Sequence, residues 1–142
     1  PLPSNRDTTR DAQLWILHTQ IAEEIALEPA YDYIVCDRAV LDNYAYLVNA
    51  SGRQPELEDL VRQWMSTYHL LVKVPVVAAP SFDGTRDVSV GFQRAIDRII
   101  DELLAEYLLP SLRLPPRDRS GWVPTVLGAL ALPRRAAQLD LF

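Results

Sequence analysis

Tyr33-Ile34-Val35-Cys36-Asp37 is apolar until its last member and rich in β-branched and aromatic side chains. The run is too short for a helix. A continuous apolar stretch closed by an acid is the pattern of a parallel strand buried on both faces. Thr8 with Asp11 three residues on resembles a helix N-cap signal, Asp taking the place of Glu or Gln. It predicts a helix over about 9–27, with Leu14, Leu17, Ile21 and Ile25 as its buried stripe and Pro29 at its end. On the other side, a helix from about Val40 to Asn49 is stopped by Gly52.

The rest of the chain continues the alternation. Leu57, Leu60, Val61 and Trp64 place a helix over about 56–67. His69 to Val74 reads as a second strand, limited by Pro75 and Pro80. Residues 79–89 form a polar loop around Asp83-Gly84, a turn signal. The longest helix is expected over about 90–108, with Phe92, Ile96, Ile99, Ile100 and Leu103 inward and Pro110 closing it. Leu112 to Leu114 suits a third short strand, 115–121 a loop, and Trp122 to Leu130 a last helix with Pro124 in its first turn. Helices alternating with strands argue for an α/β fold with a parallel sheet. The expected organisation is an α/β domain over residues 1–131 and a tail over 132–142.

Composition narrows the function classes. The chain has 142 residues, 49% hydrophobic and 23% charged, which suits one globular domain with a real core. No run is apolar enough to span a membrane, and no secretory signal opens the sequence. A single cysteine, Cys36, excludes an internal disulfide and suits the reducing cytoplasm; within a buried strand it reads as a small apolar residue. His18 and His69 lack metal-ligand spacing, and Ser81 lacks the context of a hydrolase nucleophile. The net charge of −5 argues against direct nucleic-acid binding. The charge is uneven: residues 111–137 carry five arginines against one aspartate, a segment suited to phosphates or an acidic partner, or simply to solvent.

Four spaced segments carry a resemblance. Asn5-Arg6-Asp7-Thr8-Thr9-Arg10-Asp11-Ala12-Gln13-Leu14, then Tyr31 through Arg38, then Leu41-Asp42-Asn43-Tyr44, then Asp83-Gly84-Thr85-Arg86 with Phe92-Gln93 and Ile96-Asp97, are similar to the P-loop AAA/kinase-like ATP-binding family. The ribosylnicotinamide-kinase-type domain is among its members. The match covers residues 5–131 in order and implies a three-layer parallel-sheet fold. The sequence departs from the family in one respect: no G-x-x-x-x-G-K-[ST] phosphate loop occurs, and Lys73 is the only lysine. The resemblance therefore implies that the first strand and the phosphate loop lie upstream of Pro1, and that the 142 residues hold the fold without them.

The resemblance also implies roles. Asp37, at the carboxyl end of a strand, would hold Mg²⁺ or accept the proton of an attacking hydroxyl; without the family, it reads as a helix-capping Asp. Arg38 would contact a nucleotide or substrate phosphate with its planar fork, where the plainer reading is a surface ion pair. Asp42 would bond a substrate hydroxyl, or lie on a solvated face. Arg86 would be the catalytic arginine of the lid region, and Arg94 and Arg98, on one helix face, would contact phosphate; the plainer reading of all three is an exposed amphipathic helix face. Mg²⁺ and ATP are the cofactors if the phosphate loop is supplied, and a small nucleoside-like molecule is the phosphoryl acceptor. The tail adds a separate signal: Gln138-Leu139-Asp140-Leu141-Phe142 resembles the pentapeptide by which bacterial proteins bind the DNA sliding clamp. Its alternative is a segment folded back on the domain's own core.

Overall fold

The computed structural model describes residues 9–76 and 90–132. The chain divides into two compact units, the first over residues 1–68 and 79–109 and the second over 69–78 and 110–142.

The first unit is helical. Helix α1 (Arg10–Leu27) starts at Thr9, whose hydroxyl accepts from the Ala12 amide at 3.2 Å. The cap is thus one residue beyond the Thr8 expected from sequence. A short 3-10 turn (Glu28–Ala30) carries Pro29 and ends it. Helix α2 (Val40–Ser51) is closed by Gly52 at φ 79°, a conformation that favours glycine. Helix α3 (Pro55–Met65) begins on a proline, whose missing N–H costs nothing there. Helix α4 (Val90–Glu106) completes the unit.

Helix α2 lies at the centre, packed against α1, α3 and α4. Val40, Leu41, Tyr44, Ala45 and Leu47 are all buried and meet Leu17, Val61, Met65 and Leu103 in one core. Truncating a fully buried leucine such as Leu47 in a core of this kind costs about 2–5 kcal/mol.

Two expectations are corrected in this unit. The buried face of α1 runs through Ala12, Gln13 and Leu17, with Gln20 and Glu24 half-buried on the same side, while Ile25 is exposed. The helix is rotated by roughly a quarter turn from the apolar stripe, because its polar residues find partners inside. Residues 33–37 form no strand. Tyr33 and Ile34 are exposed and Val35 is 94% exposed. A strand needs hydrogen-bonded neighbours for its amides and carbonyls, and among the described residues none pairs with this segment.

A charged cluster joins the ends of three helices of the first unit. Arg53, after α2, bonds Glu58 of α3 at 2.5 and 2.7 Å and Glu106 of α4 at 2.9 Å. Arg62 lies over the Tyr107 ring at 4.3 Å. The Tyr44 hydroxyl donates to Glu58 at 2.8 Å, and burial pushes its pKa up to about 12.

The second unit holds the sheet. Strand β1 (Val72–Lys73) pairs in parallel with β2 (Leu112–Arg113), Val72 opposite Leu112 and Lys73 opposite Arg113. Both strands are shorter than the sequence suggests. Leu114 is buried after β2. A 3-10 turn (Arg119–Gly121), capped by Asp118, leads into α5 (Trp122–Ala129), and the Trp122 indole donates to the Pro115 carbonyl at 2.8 Å. The arrangement is helix-rich α/β with a small parallel sheet; the three-layer sheet implied by the resemblance is not present among the described residues.

Candidate functional site

Between α1 and α2 the chain makes a turn over residues 36–39 that carries Asp37 and Arg38. Both are exposed, and both line a groove of about 500 Å³. The α1 side chains Gln20, Glu23 and Glu24 line it too, as does Asn43 of α2, and Trp15, Ile34 and Val35 give it apolar wall. Among the described residues no hydrogen bond or ion pair engages the Asp37 carboxylate. The Arg38 guanidinium lies 5.1 Å from the centre of the Tyr46 ring, a cation–π contact that orients its planar fork. Tyr46 meets Phe92 of α4 edge to face at 5.7 Å, which links the start of α4 to the helix that follows the turn.

The turn is held from behind by polar side chains. Gln20 donates to the Arg38 carbonyl at 2.6 Å and to Glu24 at 2.8 Å, and it accepts from Asn43. The Tyr68 hydroxyl accepts from the Val40 amide at 3.1 Å and donates to Glu24 at 2.9 Å. The Trp64 indole donates to the other Glu24 oxygen at 2.7 Å, and the Cys36 thiol lies 3.4 Å from Glu24. Burial, and after it the neighbouring Glu24 charge, pushes the Cys36 thiol up to about 11. It stays protonated at neutral pH and is a donor, not a nucleophile. This differs from the apolar strand residue expected, although the chemical inertness is the same. Burial likewise raises the Tyr68 hydroxyl above its ordinary range, with Glu24 adding to the shift, so it too remains a donor.

The other residues singled out from sequence lie elsewhere. Asp42 is in the first turn of α2, where one oxygen accepts from the Ala39 amide at 2.9 Å. Arg94 and Arg98 are exposed on α4, and Arg98 faces Glu102 at 3.8 Å. Arg86 and the pentapeptide Gln138, Leu139, Asp140, Leu141 and Phe142 lie outside the described residues. Conversely, the sequence assigns no site role to Gln20, Asn43, Glu24, Trp64 and Tyr68. The i, i+4 spacing of Gln20 and Glu24 was the one local signal, and that spacing is equally common on solvated faces.

The donor set also bears on metals. Among the described residues no group of three or more His, Cys, Asp or Glu side chains is placed to hold an ion. Mg²⁺ asks for fewer protein ligands than most ions, since it keeps several waters and is held by one or two carboxylates together with phosphate oxygens. No helix among the described residues is long and apolar enough to cross a membrane.

A family model described as an AAA domain matches residues 3–120. No curated protein and no solved structure matches the chain.

Proposed function

The chain belongs to the AAA domain family, of P-loop NTPase type, and on that premise we propose that it is a nucleotide-binding protein whose intact form transfers the γ-phosphoryl of ATP to the hydroxyl of a small nucleoside-like acceptor. The observation that carries this reading is the turn: Asp37 and Arg38 adjoin on an open groove, with side chains outward. Phosphoryl transfer asks a protein mainly for position and charge stabilisation. Asp37 would hold Mg²⁺ through water or take the proton of the attacking hydroxyl on a carboxylate oxygen. Arg38 would grip a phosphate oxygen with its fork, already oriented by Tyr46. Arg86, Arg94 and Arg98 are the further phosphate contacts of the reading, and Asp42 its contact to the acceptor. Mg²⁺ and ATP supply the transferable group when bound. The phosphate loop, which this sequence does not contain, would come from sequence outside residues 1–142. A cytoplasmic location goes with it.

Calorimetric titration with Mg-ATP tests the reading, on the chain alone and on the chain extended through its upstream gene region. Micromolar binding that weakens about tenfold or more in Asp37→Asn, ~1.4 kcal/mol, supports it. Equal affinity in the wild type and in Asp37→Asn rejects it. A glycine-rich loop ending in Lys-Ser or Lys-Thr in the upstream reading frame is the corresponding sequence observation.

A second reading rests on the pentapeptide Gln138 to Phe142. In it the chain docks through its tail on a DNA sliding clamp, Leu141 and Phe142 entering an apolar pocket and Gln138 fixing orientation. Clamp binding that disappears in the Leu141→Ala, Phe142→Ala double variant supports it, and binding that survives rejects it.

A further inference from the structure

Three places in the turn trace back to one side chain. The Cys36 thiol reaches Glu24 directly, at 3.4 Å. The Arg38 carbonyl reaches it through Gln20, in steps of 2.6 and 2.8 Å. The Val40 amide reaches it through the Tyr68 hydroxyl, in steps of 3.1 and 2.9 Å. We propose that Glu24 is the positioning residue of the Asp37–Arg38 turn: one carboxylate fixes the chain before, at and after the pair and leaves both functional side chains facing the groove. The inference rests on the reading given under Proposed function, which assigns the pair its task.

The chemistry of the cluster favours positioning over space-filling. Glu24 is half-buried, and among the described residues its carboxylate accepts from the uncharged donors Gln20, Cys36, Trp64 and Tyr68. Burying a charge in this way costs free energy unless every lone pair is met. An apolar residue would join α1 to α3 at lower cost. What a carboxylate adds is direction, because each oxygen accepts along defined lines and holds its donors at fixed positions. Tyr68 and Trp64 bring the end of α3 into the same grip, so movement of that helix end reaches the turn through Glu24.

Glu24→Gln and Tyr68→Phe test the proposal on the full chain. The glutamine keeps the shape but turns an NH₂ group toward donors whichever way it faces. The phenylalanine removes the link to Val40 and with it one of the four donors to Glu24. Amide hydrogen exchange is read at Val40, and both variants are expected to exchange there about tenfold faster or more while remaining folded. Mg-ATP affinity is then measured in a double-mutant cycle with Asp37→Asn. Glu24→Gln alone is expected to weaken binding about tenfold, and to add clearly less than that once Asp37→Asn is present, when only the placement of Arg38 is left to lose. A purely structural Glu24 would weaken both backgrounds equally, and that additive result overturns the proposal. Unchanged exchange at Val40 in both variants overturns it as well. If Glu24→Gln fails to fold, Tyr68→Phe carries both measurements. If the wild type binds no Mg-ATP in either length, the functional reading fails by itself, and exchange at Val40 alone decides whether Glu24 holds the turn.

Discussion

Glu58 accepts from Arg53 at 2.5 and 2.7 Å and from the Tyr44 hydroxyl at 2.8 Å. The Arg53 bonds hold its carboxyl well below the ordinary value near 4.5, at about 2, against the opposing pull of burial. A depressed carboxyl contributes stability where it is ionised in both states and loses it on protonation. The Glu58 contribution is therefore complete above about pH 4.5 and is lost as the pH falls to about 2. Urea denaturation at steps between those values should show stability falling in the wild type and a flatter profile in Glu58→Gln, which starts lower at pH 7. The same arginine draws the Glu106 carboxyl down, so Arg53→Ala should flatten the profile further. At this scale the sequence is least informative. Little local marks Glu24 or Glu58: Gln20 and Arg53 lie near them in sequence, as on any solvated face, but Trp64 is forty residues from Glu24 and Tyr44 fourteen from Glu58. Sequence offers Asp37 and Arg38 as candidates, since they close an apolar run and fall in a segment that carries the family resemblance. The side chains that hold their turn carry no such mark.

Helix boundaries depend on local chemistry, and most of them follow from sequence. Gly52 closes α2, Pro55 opens α3 and Pro124 sits in the first turn of α5, each for a reason read from the residue itself. The end of α4 departs from this pattern. The Leu109 amide bonds the Leu104 carbonyl at 2.9 Å and the Leu108 amide bonds Ala105 at 3.2 Å, a Schellman closure with Leu108 at φ 53°. Leucine in that conformation is strained, and at 86% exposed its side chain gains little in return. Leu108→Gly should stabilise the protein by about 0.5–1 kcal/mol, the relief of a left-handed non-glycine residue less the added entropy of the unfolded chain. Denaturant melts check this, and a loss of stability would mean that Leu108 makes a contact its exposure does not suggest. The face of α1 was misread for a different reason. Periodicity identifies an apolar stripe, whereas the stripe that is buried here is partly polar and satisfied by bonds from α2 and α3.

Among the described residues, the order of the helices and of the two paired strands follows the sequence expectation, and the strand expected at 33–37 is missing. Both strands of the small sheet fall within the segments expected from sequence, yet 33–37, the run with the strongest strand composition, has no ladder. Strand composition states a preference for neighbours and does not provide them. Burial supplies a direct check. A Val35 inside a sheet would cost several kcal/mol when made polar, but at 94% exposed Val35→Thr should leave the unfolding free energy within about 0.5 kcal/mol of the wild type.

The first unit is discontinuous in sequence, since α4 returns to it only after the chain has left at Tyr68. During synthesis this imposes an order. Helices α1, α2 and α3 emerge first, and the side of α2 that packs on α4 stays uncovered until the ribosome has added some forty more residues. At usual elongation rates that wait lasts about 2–8 seconds. The nascent chain thus exposes apolar surface of its central helix for a period set by translation and not by folding, which makes this interval the time when a chaperone has most to offer it.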